Sequence, residues 1–178
     1  MSVYLFLTDG FEEIEALATV DILRRGEVDI KTVSLTGKKE VVSSRKIPVI
    51  ADCLFNEVDF ATADYLIIPG GTTAFNDYPE LKEVLKKHYS QNKRLAAICA
   101  APMVLGEAGL LQGKKATCYP SFEKYLHGAE VRDGVAVVVD GLITTGRGPG
   151  LAFDFAFTIL EQIQGKAVKD KVKAGMLL

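Results

Sequence analysis

The sequence predicts an α/β domain built on a mainly parallel sheet flanked by helices, and two observations predict it. Short β-branched and aromatic runs alternate along the chain with stretches of helical periodicity. The runs 65–69 and 95–98 also lack polar alternation, as strands covered by helices on both faces must. The 178 residues contain no repeat, no low-complexity tract and no Pro/Gly/Ser-rich linker. A single domain, residues 1–178, around one sizeable core is therefore expected.

Taken in order, residues 3–8 form the first strand and 12–25 the first helix. That helix is stopped by Arg24-Arg25-Gly26, a basic last turn followed by a glycine. Residues 30–35 are the second strand. Residues 41–44 and 49–51 break the alternation and read as a small antiparallel ribbon. Strand 65–69, helix 79–91, strand 94–98 and helix 100–108 resume it. A second ribbon is expected from 135–139 and 142–145, joined by the Asp140-Gly141 hairpin signal. The last long helix, 151–164, stops at Gly165.

Composition narrows the function. Hydrophobic residues make up 48% of the chain and charged residues 25%, with a formal net charge of -2. That balance supplies no basic field to hold nucleic acid or an anionic membrane. No stretch approaches the roughly 18 apolar residues of a spanning helix, and the N-terminal run is too short and lacks the basic flank of a signal peptide. A cytoplasmic protein is expected. Three cysteines without paired spacing fit reduced thiols better than a disulfide framework or a zinc site.

Cys99 carries the strongest chemical signal. In Ala97-Ile98-Cys99-Ala100-Ala101 an apolar strand ends in a thiol between small residues and a helix begins. This is the spacing of a nucleophile elbow, whose strained, closely approached backbone needs small neighbours. A thiol there is expected to face solvent chemistry, and the helix amides beyond it favour thiolate, so position alone predicts an acidic sulfur. A shift from about 8.5 to about 5 needs roughly 5 kcal/mol. A helix terminus gives about 1 kcal/mol and a charge-assisted hydrogen bond about 2 to 3, so a further donor is required. Cys53 and Cys118 sit in no such turn and read as inert, Cys118 remaining a second redox candidate.

Glu15 follows the turn after the first strand. On a helical wheel it lies within about 20° of Ile22, along an apolar side. Burial there raises a carboxyl pKa and keeps a proton available for a thiolate. Its neighbours Glu12 and Glu13 read as first-turn acids complementing the helix dipole. Pro69-Gly70-Gly71-Thr72-Thr73 follows a central strand. By itself it is a turn, but beside an elbow cysteine the Gly71 amide joins that of Ala100 as an oxyanion hole, with Gly70 behind it. Arg147, in Gly146-Arg147-Gly148-Pro149-Gly150, is either a surface charge or a carboxylate ligand at the mouth of the site. The two histidines, His88 and His127, sit in charged helical contexts and read as solvated, which leaves a Cys-His hydrolase without its base.

Together, Asp9-Gly10-Phe11-Glu12-Glu13-Ile14-Glu15, Ser44-Arg45, Leu66-Ile67-Ile68-Pro69-Gly70-Gly71, Ala96-Ala97-Ile98-Cys99-Ala100-Ala101-Pro102 and Arg147-Gly148-Pro149-Gly150 resemble the DJ-1/PfpI superfamily. The likeness is to its DJ-1-like branch, with bacterial relatives, and runs nearly the whole chain. The resemblance implies a flavodoxin-like α/β sandwich that forms a homodimer, with Cys99 as reactive thiol and Glu15 as its protonated partner. It also implies Gly71 and Ala100 amides lining the oxyanion pocket, and Arg45 and Arg147 as an anion-binding rim. One residue departs from the pattern: Tyr119 stands where DJ-1-like members commonly place a histidine, and a tyrosine is a poor base at neutral pH.

The activity this resemblance implies is cofactor-independent processing of small α-oxoaldehydes, methylglyoxal to lactate, through a Cys99 hemithioacetal, without metal or glutathione. A deglycase activity is hard to separate from it, because draining free aldehyde reverses early glycation. The alternative is a peroxide sensor or stress-linked chaperone acting through oxidation of Cys99. A peptidase or amidase is disfavoured, because Ala100 replaces the adjacent histidine that the peptidase-like branch carries.

Overall fold

The computed structural model describes residues 1–178 and contains two small ribbons beside one seven-stranded sheet. In chain order the elements are β1 (Ser2–Leu7), α1 (Glu13–Arg25), β2 (Asp29–Ser34), β3 (Glu40–Val42), β4 (Pro48–Ile50), β5 (Cys53–Leu54), β6 (Tyr65–Ile68) and α2 (Pro79–Ser90). They continue with β7 (Arg94–Ile98), α3 (Pro102–Glu107), β8 (Lys115–Ala116), β9 (Glu130–Val131), β10 (Val137–Asp140), β11 (Ile143–Gly146), α4 (Ala152–Gln164) and α5 (Lys166–Gly175). No helix is long and apolar enough to cross a membrane.

The large sheet runs β10-β11-β7-β6-β1-β2-β5. Every pairing in it is parallel except β10 with β11. Leu5 pairs with Ile67 and Ile67 with Ala96, so the central strands bury side chains on both faces. The chain winds from β1 to β2 and β5 on one side, then returns to β6, β7 and β11 on the other. The reversal lies between β1 and β6, and in open α/β sheets ligands bind at the carboxyl ends of the strands beside such a switch point.

Both expected ribbons form, but in different places. β3 and β4 pair antiparallel as a separate ribbon, whereas the Asp140-Gly141 hairpin extends the main sheet, β11 pairing parallel with β7. Gly165 ends α4 with a positive φ of 83° while its amide bonds Glu161 O at 2.9 Å, and α5, absent from the sequence reading, starts at once. Gly26 ends α1 for a different reason than the one expected. Its φ is -83°, and the left-handed residue is Glu27. A Cβ at position 26 would run into the Leu160 side chain, so this glycine lets α1 and α4 pack closely. The helix expected over 100–108 is shorter, α3, because Ala100 and Ala101 are spent on the turn that Pro102 closes.

Candidate active site

Three loops meet at the carboxyl ends of β1, β6 and β7. After β1 the chain turns at Asp9–Gly10 and enters α1, whose first turn is capped by the Glu12 carboxylate accepting the Glu15 amide at 2.8 Å. Glu12 is thus more than a dipole complement. Its own amide donates to Gly70 O at 2.9 Å, fastening α1 to the loop after β6. Glu15, in that first turn, is fully buried. Its Oε2 accepts the Gly70 amide at 2.7 Å, and its Oε1 is buried with no hydrogen-bond partner.

Cys99 follows β7 with φ +66°, a left-handed conformation for a residue with a side chain, at a cost of order 1–3 kcal/mol. Both of its backbone arms are held: its amide donates to Gly146 O at 2.9 Å and its carbonyl accepts the Tyr119 amide at 2.8 Å. The elbow read from the sequence is therefore present, but the sulfur is not solvent-facing. Cys99 is only 8% exposed. It lines a cavity of about 200 Å³ with Gly71, Thr72, Thr73, Ala100, Tyr119 and Phe122.

Two glycines make the approach possible. A Cβ on Gly70 would lie 2.6 Å from Cys99 Cβ, 2.9 Å from Glu15 Oε2 and 3.0 Å from the Ala100 nitrogen. Gly71 has φ +92°, and a Cβ there would meet the Glu12 nitrogen, with Gly10 O at 2.6 Å. The Gly71 and Ala100 amides both act on the Cys99 sulfur and favour its thiolate.

The electrostatics correct the expectation that position alone makes the thiol acidic. Burial, then the charge of Glu15 and its hydrogen bond, push the Cys99 thiol up to about 12, against the pull of the Ala100 and Gly71 amides. Burial raises the Glu15 carboxyl to about 7, although the Gly70 amide and Cys99 draw it down. Two of the three causes that raise Cys99 exist only while Glu15 is a carboxylate. With the proton on Glu15 both disappear, and the neutral carboxyl becomes a donor for a thiolate. Burial is the largest of the causes that oppose the thiolate, and the state of Glu15 adds to or relieves it.

The structure brings together Cys99, Glu15, Gly70, Gly71, Ala100 and Tyr119. It does not bring the two arginines to the pocket lining. Arg45 is exposed, and its backbone, with Ser43 and Ser44, faces the Glu13 carboxylate. Arg147 donates from Nη2 to Asp133 Oδ1 at 3.1 Å, and its charge acts on Cys118. Glu13 had no role in the sequence reading beyond the dipole. It accepts the Ser44 hydroxyl at 3.0 Å and so ties the β3–β4 ribbon to α1. Only contact across 31 residues reveals this, and no local pattern signals it.

The remaining thiols and imidazoles lie elsewhere. Cys53 is half-buried with Sγ 3.6 Å from Thr32 O, and burial raises its pKa. Burial, Glu123 and Asp133 push Cys118 up to about 12. His127 is exposed beside Glu107, as expected of a solvated residue. His88 overturns that expectation. It is 2% exposed because it shares the inward face of α2 with Leu81 and Leu85, and its Nε2 pairs with the Arg94 carbonyl at 3.1 Å. Burial is the main reason its pKa falls to about 4.

Glu15 and His88 give a testable pH signature. The folded Glu15 pKa lies above its unfolded value, so its contribution is full below about 4.5 and is lost as pH rises through about 7. The folded His88 pKa lies below its unfolded value. Its contribution is full above about 6.5 and is lost as pH falls through about 4. The two slopes oppose each other between about pH 4.5 and 6.5. In Glu15→Gln only the His88 slope remains, and urea unfolding should show stability rising by about 1 kcal/mol per pH unit across that window. An unchanged pH profile in the variant would mean that Glu15 titrates normally in the folded chain.

The DJ-1/PfpI family profile matches residues 1–162. Protein dj-1beta of Drosophila melanogaster is 34% identical over 181 residues, covering 99% of this chain and 97% of that protein. Its crystal structure superposes with a TM-score of 0.95, over 99% and 97% of the two chains. A structure described as Toxoplasma gondii DJ-1, oxidized, is 36% identical with a TM-score of 0.93, covering 99% and 97%. A Caenorhabditis elegans relative named glutathione-independent glyoxalase DJR-1.2 is 31% identical, over 86% of this chain and 83% of that protein. The chain spans only 37% and 46% of the length of DJ-1 homologs B and A of Arabidopsis thaliana, at 38% and 36% identity. With the profile matched from β1 into α4 and the flavodoxin-like sheet shared throughout, the chain belongs to the DJ-1/PfpI family.

Proposed function

We propose that this protein converts small α-oxoaldehydes such as methylglyoxal to 2-hydroxy acids, using Cys99 as nucleophile and Glu15 as proton carrier. The observation that carries the reading is the buried Glu15 carboxyl, raised to about 7 beside an elbow thiol and fixed by the Gly70 amide. A carboxyl poised there can give and take a proton at neutral pH, which the reaction needs twice. The name of the worm relative supports the same chemistry.

The steps balance without an outside oxidant. The Cys99 thiolate attacks the aldehyde carbon; the C–S bond forms and the carbonyl electron pair moves onto oxygen, which faces the Gly71 and Ala100 amides. That oxygen takes the Glu15 proton. The Glu15 carboxylate then removes the hydrogen of the former aldehyde carbon as a proton and returns one to the neighbouring ketone carbon, while the hydroxyl proton on the first carbon's oxygen passes to the former ketone oxygen. The first carbon is oxidised to a thioester as the second is reduced to an alcohol. Water cleaves the thioester, releasing the hydroxy acid and the thiol.

Steady-state lactate formation from methylglyoxal by freshly reduced protein, without glutathione, tests the reading. Sustained formation over many turnovers per site is the expected result. Consumption that stops near one equivalent would sink it and favour the second reading, a thiol that records peroxide by oxidation. The oxidized form of the Toxoplasma gondii relative favours that second reading. In it, Cys99 is oxidised to a sulfinic acid held by Glu15 and the same amides.

A further inference from the structure

At a helix start a capping side chain accepts the amide three residues on, and an acid at that third position reaches back to the capping residue's own amide, so that two bonds close a box. At the start of α1 only half of the box is closed. The Glu12 carboxylate accepts the Glu15 amide at 2.8 Å, but the Glu12 amide donates to Gly70 O at 2.9 Å and the Glu15 carboxylate accepts the Gly70 amide at 2.7 Å. Gly70 thus takes both ends of the missing bond. The Glu15 carboxyl is thereby released from its own helix terminus and meets the Cys99 sulfur by a hydrogen bond.

Glutamate is not among the side chains that favour this capping position, which are Ser, Thr, Asp and Asn. A neutral cap would close the same bond to the Glu15 amide. An acid adds charge, and the charge of Glu12 raises the Glu15 carboxyl further. The backbone of Glu12 also abuts the glycine turn: a Cβ on Gly71 would lie 2.3 Å from the Glu12 nitrogen, and the Gly71 amide acts on the sulfur. The titratable groups that act on Glu15 are Cys99, from the turn after β7, and Glu12. Glu13 is turned to the Ser44 hydroxyl. On the elements packed against α1, Asp29 and Lys31 of β2 and Asp154 of α4 are exposed, and Glu161 of α4 pairs with Lys169 at 2.6 Å.

We propose that Glu12 is a positioning residue: its side chain on the Glu15 amide and its own amide on the Gly70 carbonyl hold the Glu15 carboxyl against Cys99, with a second charge set beside it. Glu12 does this without lining the Cys99 cavity. The inference rests on the aldehyde reading only for the rate it predicts, because the reactivity of Cys99 reports on it without turnover.

Three substitutions separate the bond from the charge. Glu12→Asp keeps both, Glu12→Ser keeps an acceptor for the Glu15 amide without the charge, and Glu12→Ala removes both. Alkylation of Cys99 by iodoacetamide, quantified by mass at that residue, should change slope near pH 7 in the native protein, where the Glu15 carboxyl titrates. That inflection should stay in Glu12→Asp, move to lower pH in Glu12→Ser and fade in Glu12→Ala. For methylglyoxal, Glu12→Ala should lower kcat at least about tenfold with KM within about twofold, because small misplacements of a reacting group are costly, and Glu12→Ser should recover most of the loss. A residue that only caps the helix would, in Glu12→Ala, lower stability to urea and leave the alkylation profile and kcat of the folded protein unchanged. That result would overturn the proposal. If Glu12→Ala does not fold, Glu12→Ser decides by itself, and an inflection that is lost or unmoved there would overturn it equally. Inflections that behave as expected, with no lactate formed by any variant or by the native protein, would overturn the aldehyde reading instead and leave the positioning of Glu15 intact.

Discussion

Cys99→Ser is expected to abolish lactate formation, by at least about 10³-fold in kcat, while leaving the fold intact. The magnitude follows from what the sulfur does. A hydroxyl at the same place stays protonated near neutrality, and no adjacent imidazole can activate it, because His88 is buried on α2 and His127 pairs with Glu107. Stability should move by no more than about 1 kcal/mol, since the left-handed turn is held by Gly146 and Tyr119 whatever the side chain, and a hydroxyl satisfies the buried Glu15 at least as well as a thiol. Turnover assays and urea unfolding on one preparation separate the two effects. A serine variant retaining a tenth of the native turnover would remove the sulfur from the reaction.

Glu15→Gln is the second large effect, expected at about 10²–10⁴-fold in kcat with much less change in KM. The amide oxygen of glutamine still accepts the Gly70 amide, so the loop after β6 keeps its anchor. What is lost is the proton, and with it both the transfer between carbons and the neutral donor that holds a thiolate. The native rate should change with pH near 7, where the Glu15 carboxyl titrates, and that limb should vanish in the variant. An equal rise in KM with kcat preserved would assign Glu15 to substrate binding alone.

The thiol, its carboxyl partner and the glycine turn were legible in the sequence because each is a local signal. Small residues flank Cys99, Glu15 repeats with Ile22 on one helical face, and a glycine pair ends an apolar strand. Parallel topology was legible for the same reason, in runs without polar alternation. The acidity of the thiol was not, because it depends on burial and on Glu15, which lies on α1, far from Cys99 in sequence. Arg45 and Arg147 illustrate the limit from the other side. A basic residue at a motif position does not say what its guanidinium meets, and here Arg147 bonds Asp133 through Nη2 while its Nε is buried without a partner. His88 was misread because the charged residues of α2 surround a buried face of Leu81 and Leu85 that the imidazole joins.

The elbow is held from downstream, since Gly146 and Tyr119, both later in the chain than Cys99, supply its hydrogen bonds. During synthesis the thiol therefore leaves the ribosome long before the residues that bend its backbone. Until β11 is made, Cys99 lacks the Gly146 carbonyl that holds its amide in the bent conformation. Reactivity is thus deferred to the completed sheet, and an unfinished or prematurely terminated chain ending before β11 carries the nucleophile without its chemistry.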